Sequence, residues 1–240
     1  MDEWKYQPLP DIDVPIAESL RGFPRQPDLL IYTIRSAAAL LLRAWLKIYH
    51  RLSIEGRDHL PAQGSYILVC NHTSHLDTLC LLAAVPLRQI HRTFPAAAAD
   101  YFFSSLPRSA VSAILINALP FDRKLRGAES LTICGELLKT PGNILILFPE
   151  GTRTTTGSMG RFRSGIGRLV VGTSIAVVPC YFSGGTIAWP KGRMLPRPRK
   201  LRLRIGQPRT YSQLEPTAES VIEACRDLQM SVAELGEPAT

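Results

Sequence analysis

The sequence predicts an α/β fold, namely a single domain with a mostly parallel or mixed central sheet flanked by helices and an amphipathic helix near its N-terminus. Three observations lead to this prediction. Short apolar runs typical of buried strands alternate with helical patterns along the chain. The 240 residues, 45% of them hydrophobic, suffice for one large core. Residues 28–52 carry a separate helical pattern with one polar and one apolar face.

The elements follow in order from these patterns. Residues 1–27 contain five prolines, which predicts an irregular arm; residues 28–52 form the amphipathic helix, and residues 53–240 form the domain. Within the domain, strands are predicted at 66–70, 143–148, 175–180 and 200–205. Helices are predicted from 78, at 127–139, at 164–172 and at 216–235.

The helix at 28–52 has two interpretations. Its polar residues fall within an arc of about 160° on a helical wheel; they are Asp28, Thr33, Arg35, Ser36, Arg43, Lys47, His50 and Arg51. Because Arg35 and Arg43 interrupt the apolar run, the helix does not suit a membrane span. It suits a membrane interface, with the basic face at the headgroups and Leu40, Leu41, Trp45 and Ile48 in the acyl boundary. The alternative is a surface helix that packs on the core of its own domain.

The formal net charge of +8 favours anionic partners such as nucleic acid, phosphorylated small molecules or an acidic membrane. We expect no nucleic-acid partner, because no recognised binding module is present. The five cysteines are scattered without C-x-x-C pairing, which predicts reduced core residues in a reducing compartment. Residues 1–26 do not have the pattern of a secretory signal.

The principal candidate site is Asn-His-Thr-Ser-His-Leu-Asp at 71–77, which directly follows the strand at 66–70 and precedes a helix. Such a junction is where α/β folds commonly place chemistry. A histidine such as His72 suits a general base, because imidazole titrates near neutral pH. If His72 lies in the turn, with Thr73 or Ser74 capping the helix and Asp77 in its first turn, the carboxylate can bend back and fix the imidazole tautomer.

Two further segments carry groups that suit a phosphate. Phe-Pro-Glu-Gly-Thr-Arg at 148–153 follows the next buried strand; Gly151 allows a tight turn, Thr152 supplies a hydroxyl and Arg153 a planar fork that matches phosphate. Residues 120–126 add Arg123, Lys124 and Arg126 after an apolar run. Converging arginines make a phosphate site at one sheet edge the favoured interpretation.

Together these segments resemble the glycerophospholipid acyltransferase family, and most closely its 1-acylglycerol-3-phosphate acyltransferases. Residues 71–77 resemble the first of four ordered blocks, with the full N-H-x4-D pattern. Residues 117–123, 148–153 and 178–179 resemble the second, third and fourth. Two departures are Asn117, where the family usually has glycine, and Phe-Arg-Ser-Gly at 162–165, where it commonly has Phe-Lys-x-Gly.

This resemblance implies transfer of a fatty acyl chain from an acyl thioester to the free hydroxyl of a lysophospholipid. His72 would deprotonate the hydroxyl while Asp77 orients it, and Arg123 and Arg153 would hold the acceptor phosphate, assisted by Glu150, Gly151 and Thr152. It implies no metal and no cofactor, with acyl-CoA or acyl-carrier protein as co-substrate. The partners would be membrane lipids, at the cytoplasmic face of a bacterial inner membrane.

Other classes of protein fit less well. His75-Leu-Asp77 matches half of a non-haem iron site, which needs a further, distant histidine, and only His91 follows it. A serine hydrolase would need G-x-S-x-G, and nucleotide-binding loops would need their glycine patterns; neither occurs. The alternatives that stay open are an acyltransferase for another lysolipid or hydroxyl acceptor, and a non-catalytic, membrane-binding relative.

Overall fold

The structure is a computed structural model, and it describes residues 29–98, 119–121, 127–154, 158–190, 193 and 195–236. The helices of this described part are α1 Leu29–Tyr49, α2 Leu76–Ala84, α3 Gly127–Lys139, α4 Gly165–Val170, α5 Gly185–Ala188 and α6 Ala218–Gly236. The strands are β1 Ser53–Glu55, β2 Tyr66–Cys70, β3 Thr93–Ala98, β4 Leu119–Phe121, β5 Ile144–Leu147, β6 Ala176–Ser183 and β7 Arg202–Ile205. Short 3-10 helices lie at Arg57–His59 and Leu87–Arg92.

The described strands form one seven-stranded sheet in the order β1-β7-β6-β2-β5-β3-β4. All neighbouring strands are parallel except β6 and β7, which are antiparallel. The predicted fold class, a mixed central sheet flanked by helices, is therefore confirmed. The central pairs β2–β5 and β2–β6 are parallel, so their carboxyl ends meet at one edge of the sheet.

Strand β2 lies at the centre of the core, and all five of its residues are buried. Tyr66, Leu68 and Cys70 join the cluster that contains residues of α1 and α2, whereas Ile67 and Val69 join the cluster that contains residues of α3, α4 and α6. A parallel strand covered by helices on both faces has no polar side, which explains its unbroken apolar run. All five cysteines are free and buried, as the sequence predicts.

Most predicted boundaries agree with the structure within about three residues. β2 and α3 begin and end as predicted. The main difference is β6, which continues beyond Cys180 to Ser183, because Tyr181, Phe182 and Ser183 pair with the antiparallel β7. Helix α2 begins at Leu76, two residues early, where the Ser74 hydroxyl accepts the Leu76 amide at 3.0 Å. The predicted arm at 1–27 lies outside the described residues.

Helix α1 packs against the domain through a face that contains Ala39, Leu46 and two of its arginines, whereas Lys47 is exposed. Leu46 is fully buried, Arg35 is also buried, and the Arg43 guanidinium donates a hydrogen bond to the Val85 carbonyl. The prediction that Arg35 and Arg43 lie on an exposed basic face is therefore wrong. The physical reason is that Val85 ends α2, where carbonyl groups lack intrahelical donors and favour a cation.

The opposite side of α1 is exposed and apolar. Leu30, Ile34, Leu41 and Ile48 recur at spacings that place them on one face, and Leu41 and Ile48 are 72% and 79% exposed. Trp45, by contrast, packs partly against the core. Across the described part of the chain, no helix combines the length and the apolar character needed to cross a membrane.

Candidate active site

The candidate site is formed by the loops that follow β2 and β5. These strands are parallel neighbours, so residues 71–75 and 148–154 leave the sheet at the same edge. The two loops are joined by a backbone hydrogen bond, in which the Thr154 amide donates to the His72 carbonyl at 2.9 Å. The two motifs that the sequence separates by more than seventy residues therefore form one surface.

Asn71 attaches the loop after β2 to strand β6. Its side-chain amide donates to the Phe182 carbonyl at 3.0 Å, and its side-chain oxygen accepts the Phe182 amide at 2.8 Å. This pair of hydrogen bonds continues the β2–β6 pairing one residue beyond Cys70 through a side chain. The position of the next residue, His72, is thereby fixed.

His72 and Asp77 lie in hydrogen-bonding contact, with His72 Nδ1 2.9 Å from Asp77 Oδ2. The ring of His72 stacks on Phe148, with centroids 4.1 Å apart, and the side chain is 20% exposed. A carboxylate at Nδ1 keeps the proton of a neutral imidazole on that nitrogen, so the lone pair lies at Nε2. The arrangement supplies a partly exposed base atom with a fixed tautomer.

The Asp77 carboxylate is completely buried, and both of its oxygens accept hydrogen bonds from the protein. It accepts the backbone amides of Thr73 and Ser74 at 2.5 and 2.9 Å, and their hydroxyls at 3.1 and 3.0 Å. Amide and hydroxyl donors compensate a buried carboxylate for the water it has lost. The same five-residue turn therefore folds around Asp77 and presents His72.

Glu150 joins the two loops from within. Its Oε1 accepts the His72 amide at 2.7 Å, and its Oε2 accepts the Gly160 amide at 2.7 Å. Burial raises the pKa of Glu150, against the opposing effect of these two amide donors. Both oxygens are thus engaged with the protein, and the role in substrate binding that the resemblance implies for Glu150 stays a prediction.

The turn at 151–153 brings further groups to this surface. Gly151 has φ of 72°, a conformation that favours glycine, and a Cβ there would lie 2.8 Å from the Arg163 guanidinium. Thr152 is exposed. Arg163 is also exposed. Its backbone amide donates to the Pro149 carbonyl at 3.0 Å, and this hydrogen bond fixes the position of Arg163 beside the turn.

Arg153 lies against His75, with its Nη1 donating to His75 Nε2 at 2.7 Å. The His75 ring also contacts Trp189, with centroids 5.4 Å apart. Burial is the main cause that lowers the pKa of His75 to about 4; the Arg153 charge and the nearby His72 act in the same direction, and Asp77 opposes them. His75 is therefore a neutral imidazole at neutral pH.

The structure brings together six of the seven predicted site residues: His72, Asp77, Glu150, Gly151, Thr152 and Arg153. The seventh, Arg123, lies outside the described residues. Sequence reasoning gave no role to His75 or Arg163. Arg163 is detectable from its place in the Phe-Arg-Ser-Gly block, whereas no local pattern pairs His75 with Arg153. Within the described ranges, no group of three His, Cys, Asp or Glu residues could hold a metal ion.

Relatives from mouse, human and Bacillus subtilis are all named as 1-acyl-sn-glycerol-3-phosphate acyltransferases. The chain is 28% identical over 181 residues to 1-acyl-sn-glycerol-3-phosphate acyltransferase alpha of Mus musculus, covering 74% of this chain and 61% of that protein. It spans 46% of the human counterpart. It is 26% identical over 198 residues to 1-acyl-sn-glycerol-3-phosphate acyltransferase of Bacillus subtilis, covering 82% of this chain and 90% of the relative.

The fold has a counterpart of known structure. The 1-acyl-sn-glycerophosphate acyltransferase of Thermotoga maritima superposes with a TM-score of 0.65 over 92% of this chain and 88% of its own, at 22% identity. At that identity the likeness concerns the fold. The family profile described as Acyltransferase matches residues 51–183, which include both loops of the site. The chain belongs to the Acyltransferase family.

Proposed function

We propose that the chain transfers a fatty acyl group from an acyl thioester to the free hydroxyl of a lysophospholipid. The preferred acceptor is 1-acylglycerol-3-phosphate, and the product is phosphatidic acid. The observation that carries the proposal is the His72–Asp77 pair on a loop bonded to the loop of Arg153. The names of the relatives from mouse and Bacillus subtilis support the choice of acceptor.

In the proposed reaction, His72 Nε2 takes the proton from the acceptor hydroxyl as its oxygen attacks the thioester carbonyl. The new carbon–oxygen bond forms, the carbon–sulfur bond breaks, and the departing thiolate takes the proton back from His72. Asp77 stabilises the imidazolium that forms in between, because its carboxylate lies 2.9 Å from Nδ1. General-base help of this kind contributes about 10²- to 10⁴-fold.

The acceptor phosphate is assigned to Arg153. Its guanidinium presents a planar fork of donors that matches phosphate, on the turn that also carries Thr152. Thr152, exposed on the same turn, supplies a hydroxyl. Arg123 is assigned to the same phosphate on its sequence position alone. Acyl-CoA and acyl-carrier protein are both chemically suitable donors, since each presents a thioester.

Product identification tests the reaction. Purified protein is incubated with labelled acyl-CoA or acyl-carrier protein and a panel of lysolipids, alongside His72→Ala and a control, His59→Ala. His59 Nδ1 is hydrogen-bonded to the Ile205 carbonyl at 2.8 Å. This contact lies beside the strand pair β1–β7 at the edge of the sheet, away from the candidate site. We expect phosphatidic acid from wild type and from the control, and a loss of about 10²- to 10⁴-fold in His72→Ala.

Other results would redirect the proposal. A product from a different lysolipid would change the acceptor. Absence of transfer with every donor and acceptor would favour the non-catalytic relative. Near wild-type turnover in His72→Ala with unchanged circular dichroism would remove the assigned base. A raised KM for the donor in Arg153→Ala, with an unchanged acceptor KM, would move Arg153 to the phosphates of the donor.

We also propose that the outer face of α1 docks on the anionic surface of a membrane, where such acceptors reside. The support is the exposed apolar stripe of Leu30, Ile34, Leu41 and Ile48. Apolar area of this kind favours burial at the acyl boundary. The free cysteines agree with the cytoplasmic face of a bacterial inner membrane, because that compartment is reducing.

A basic segment borders this stripe and replaces the basic face expected from the sequence. Arg193, Arg197, Arg199 and Lys200 are exposed, together with Leu195. The Tyr49 hydroxyl, near the end of α1, donates to the Pro196 carbonyl at 3.1 Å, so the segment and the helix adjoin. No acidic residue occurs from Gly151 to Leu214. Each such basic residue near an anionic surface contributes about 1 kcal/mol.

Vesicle sedimentation tests the docking surface. The double variant Leu41→Ser/Ile48→Ser should lose binding to vesicles at low and high salt, whereas Ile222→Ser, an equally apolar change at an exposed position of α6, should bind as wild type does. Charge reversal at Arg197 and Arg199 should weaken binding only to anionic vesicles and mainly at low salt. If the double variant sediments with vesicles as fully as wild type, α1 is not the docking element.

A further inference from the structure

Residues 160–163 fold back on the turn that follows β5, and backbone hydrogen bonds hold them there. The Gly160 amide donates to Glu150 Oε2 at 2.7 Å, and the Arg163 amide donates to a carbonyl of the same turn at 3.0 Å. Between these two contacts the Phe162 side chain is buried, and its amide donates to a side-chain oxygen of α6 at 3.0 Å. The backbone of this segment is therefore attached at both ends and in the middle.

Two arginines of this segment face solvent. Arg161 and Arg163 are exposed on either side of the buried Phe162. The Arg163 guanidinium occupies the space that a Cβ on Gly151 would fill, since such an atom would lie 2.8 Å from both Nε and Cζ. Within the described part of the chain, neither arginine forms an ion pair. Exposed guanidinium groups attached beside the candidate site suit an anionic group of a ligand.

Arg163 and Arg153 approach the same turn from opposite faces of the sheet. Phe162, next to Arg163, packs in the cluster that contains residues of α3, α4 and α6. Arg153 instead contacts His75, the residue that precedes α2, and α2 packs in the cluster that contains residues of α1. Two anionic substrates repel each other when their charges share one site. Separate cations on the two faces therefore suit a reaction that brings two such substrates together.

We propose that Arg163, assisted by Arg161, binds a phosphate of the acyl donor. The inference rests on the proposed function, in which the acceptor is a lipid and its phosphate is assigned to Arg153. The docking surface proposed for that lipid lies on α1, which covers the same face of the sheet as α2, so a water-soluble donor can approach from the side of α4 and α6. Acyl-CoA and acyl-carrier protein share one phosphate, on the pantetheine arm that bears the thioester. Acyl-CoA carries further phosphates on its nucleotide.

Three donors with the same acyl chain separate the phosphate from the rest of the donor. Acyl-CoA and acyl-carrier protein carry the phosphate of the pantetheine arm, whereas acyl-pantetheine carries none. For Arg163→Ala we expect the donor kcat/KM to fall about tenfold or more with the two phosphate-bearing donors and to be unchanged with acyl-pantetheine, at an unchanged acceptor KM. Arg161→Ala/Arg163→Ala should lose more, and Arg163→Lys, which keeps the charge, should recover part of the loss.

Arg92→Ala is the matched control. Arg92 is exposed and directly precedes β3, so it lies at the opposite edge of the sheet from the candidate site. Its donor kcat/KM should equal that of wild type with every donor. The Arg163 side chain is exposed and its hydrogen bond to the turn comes from the backbone, so the Arg163 variants should keep the fold. Circular dichroism of each variant checks this.

The pattern across the donors decides the inference. Equal losses with acyl-CoA and acyl-carrier protein would assign Arg163 to the shared phosphate, and a loss confined to acyl-CoA would assign it to the nucleotide phosphates. A loss confined to acyl-carrier protein, an equal loss with acyl-pantetheine, a raised acceptor KM with unchanged donor kinetics, or no loss at all would overturn the inference and leave the proposed function standing.

Calorimetric titration with CoA needs no turnover and separates the remaining case. We expect CoA to bind Arg163→Ala about tenfold more weakly than it binds wild type. If this difference is observed but wild type transfers no acyl group to any acceptor, the donor site stands and the proposed function fails. If wild type transfers acyl groups but CoA binds both proteins equally, the donor site fails and the proposed function stands.

Discussion

The backbone amide of His72 donates to the Glu150 carboxylate at 2.7 Å, so the residue assigned as base is held by a side chain from the neighbouring strand's loop. The other Glu150 oxygen accepts the Gly160 amide, also at 2.7 Å. A carboxylate can accept both bonds at once, because it has two equivalent acceptor oxygens. The spacing of the two loops therefore depends on this buried side chain together with the backbone hydrogen bond from Thr154 to His72.

Glu150→Gln should weaken the contact between the two loops. The new amide group can accept only one of the two backbone bonds, and its NH2 then faces a backbone donor. We expect a loss of about 1–3 kcal/mol in the free energy of unfolding, together with reduced turnover. Urea denaturation and turnover assays measure both. Glu223→Gln, at an exposed position of α6, is the matched control and should change stability by less than about 0.5 kcal/mol.

Asp77→Asn should lower both turnover and stability. The buried carboxylate accepts two backbone amides, and an Asn amide cannot satisfy both while also orienting His72. We expect turnover to fall about 10²- to 10⁴-fold and the unfolding midpoint to decrease. Asp58→Asn, at an exposed position, should leave both unchanged. Unaltered turnover in Asp77→Asn would show that His72 works without its orienting partner.

Gly185→Ala should disturb the same turn from outside. A Cβ at this position would lie 2.5 Å from the Phe182 ring, 2.6 Å from Thr73 Oγ1 and 2.8 Å from Ser74 Oγ, the hydroxyls that bond Asp77. Overpacking of this kind costs about 1–3 kcal/mol, and turnover should fall with it.

The control for this change is another glycine-to-alanine substitution with the opposite sign. Gly135 lies within α3, and a Cβ there would meet only Leu169 Cδ1, at 3.9 Å. Gly135→Ala should therefore stabilise the protein by up to about 1 kcal/mol without altering turnover. Thermal or urea unfolding of the two variants measures the contrast. Equal stabilities would contradict the close contacts around Gly185.

The pH dependence of stability should contain a contribution from His75. Its folded pKa of about 4 lies below the ordinary histidine value of 6.5, so between these values the unfolded chain binds a proton that the folded chain does not. The contribution of His75 to the free energy of unfolding is therefore complete above about pH 6.5 and declines as the pH falls towards 4. Glutamine does not titrate, so the His75→Gln variant loses this proton uptake. The unfolding free energy of the variant should therefore fall less steeply between pH 6.5 and pH 4 than that of wild type.

Other titrating groups are common to both proteins, so the difference between the two curves isolates His75. Burial lowers the pKa of His50 and His91 as well, and these two histidines add to the slope in wild type and variant alike. Burial raises the pKa of Glu150, which acts in the opposite sense in both. Urea unfolding at pH 4.5, 5.5, 6.5 and 7.5 gives the two curves. Parallel curves would contradict a depressed pKa at residue 75.

The sequence predicts the order of the central elements and the approach of Asp77 to His72, because both depend on local signals. An apolar run marks β2, and the turn around residues 73–77 closes within one helical turn. The long-range contacts are another matter. The bond from Arg153 to His75 joins residues 78 positions apart, and no periodicity reports it.

The orientation of α1 shows the same limit. A helical wheel separates a polar from an apolar face, but it does not say which face meets the domain. The answer depends on the Val85 carbonyl at the end of α2, which accepts a hydrogen bond from Arg43 across 42 positions of sequence. A polar group elsewhere in the fold thus turns Arg43 towards the domain, while Lys47 of the same predicted face is exposed.

The adjacency of β2 and β5 has a consequence for the acceptors that the site can accommodate. Neighbouring strands lie about 4.8 Å apart, a distance set by backbone hydrogen bonds and the same in every sheet. The residue assigned as the base follows one of these strands, and the arginine assigned to the phosphate follows the other. Under the proposed function, the strand spacing and the two loops together set the span between the reacting hydroxyl and the phosphate, so a larger headgroup would require longer loops rather than new strands.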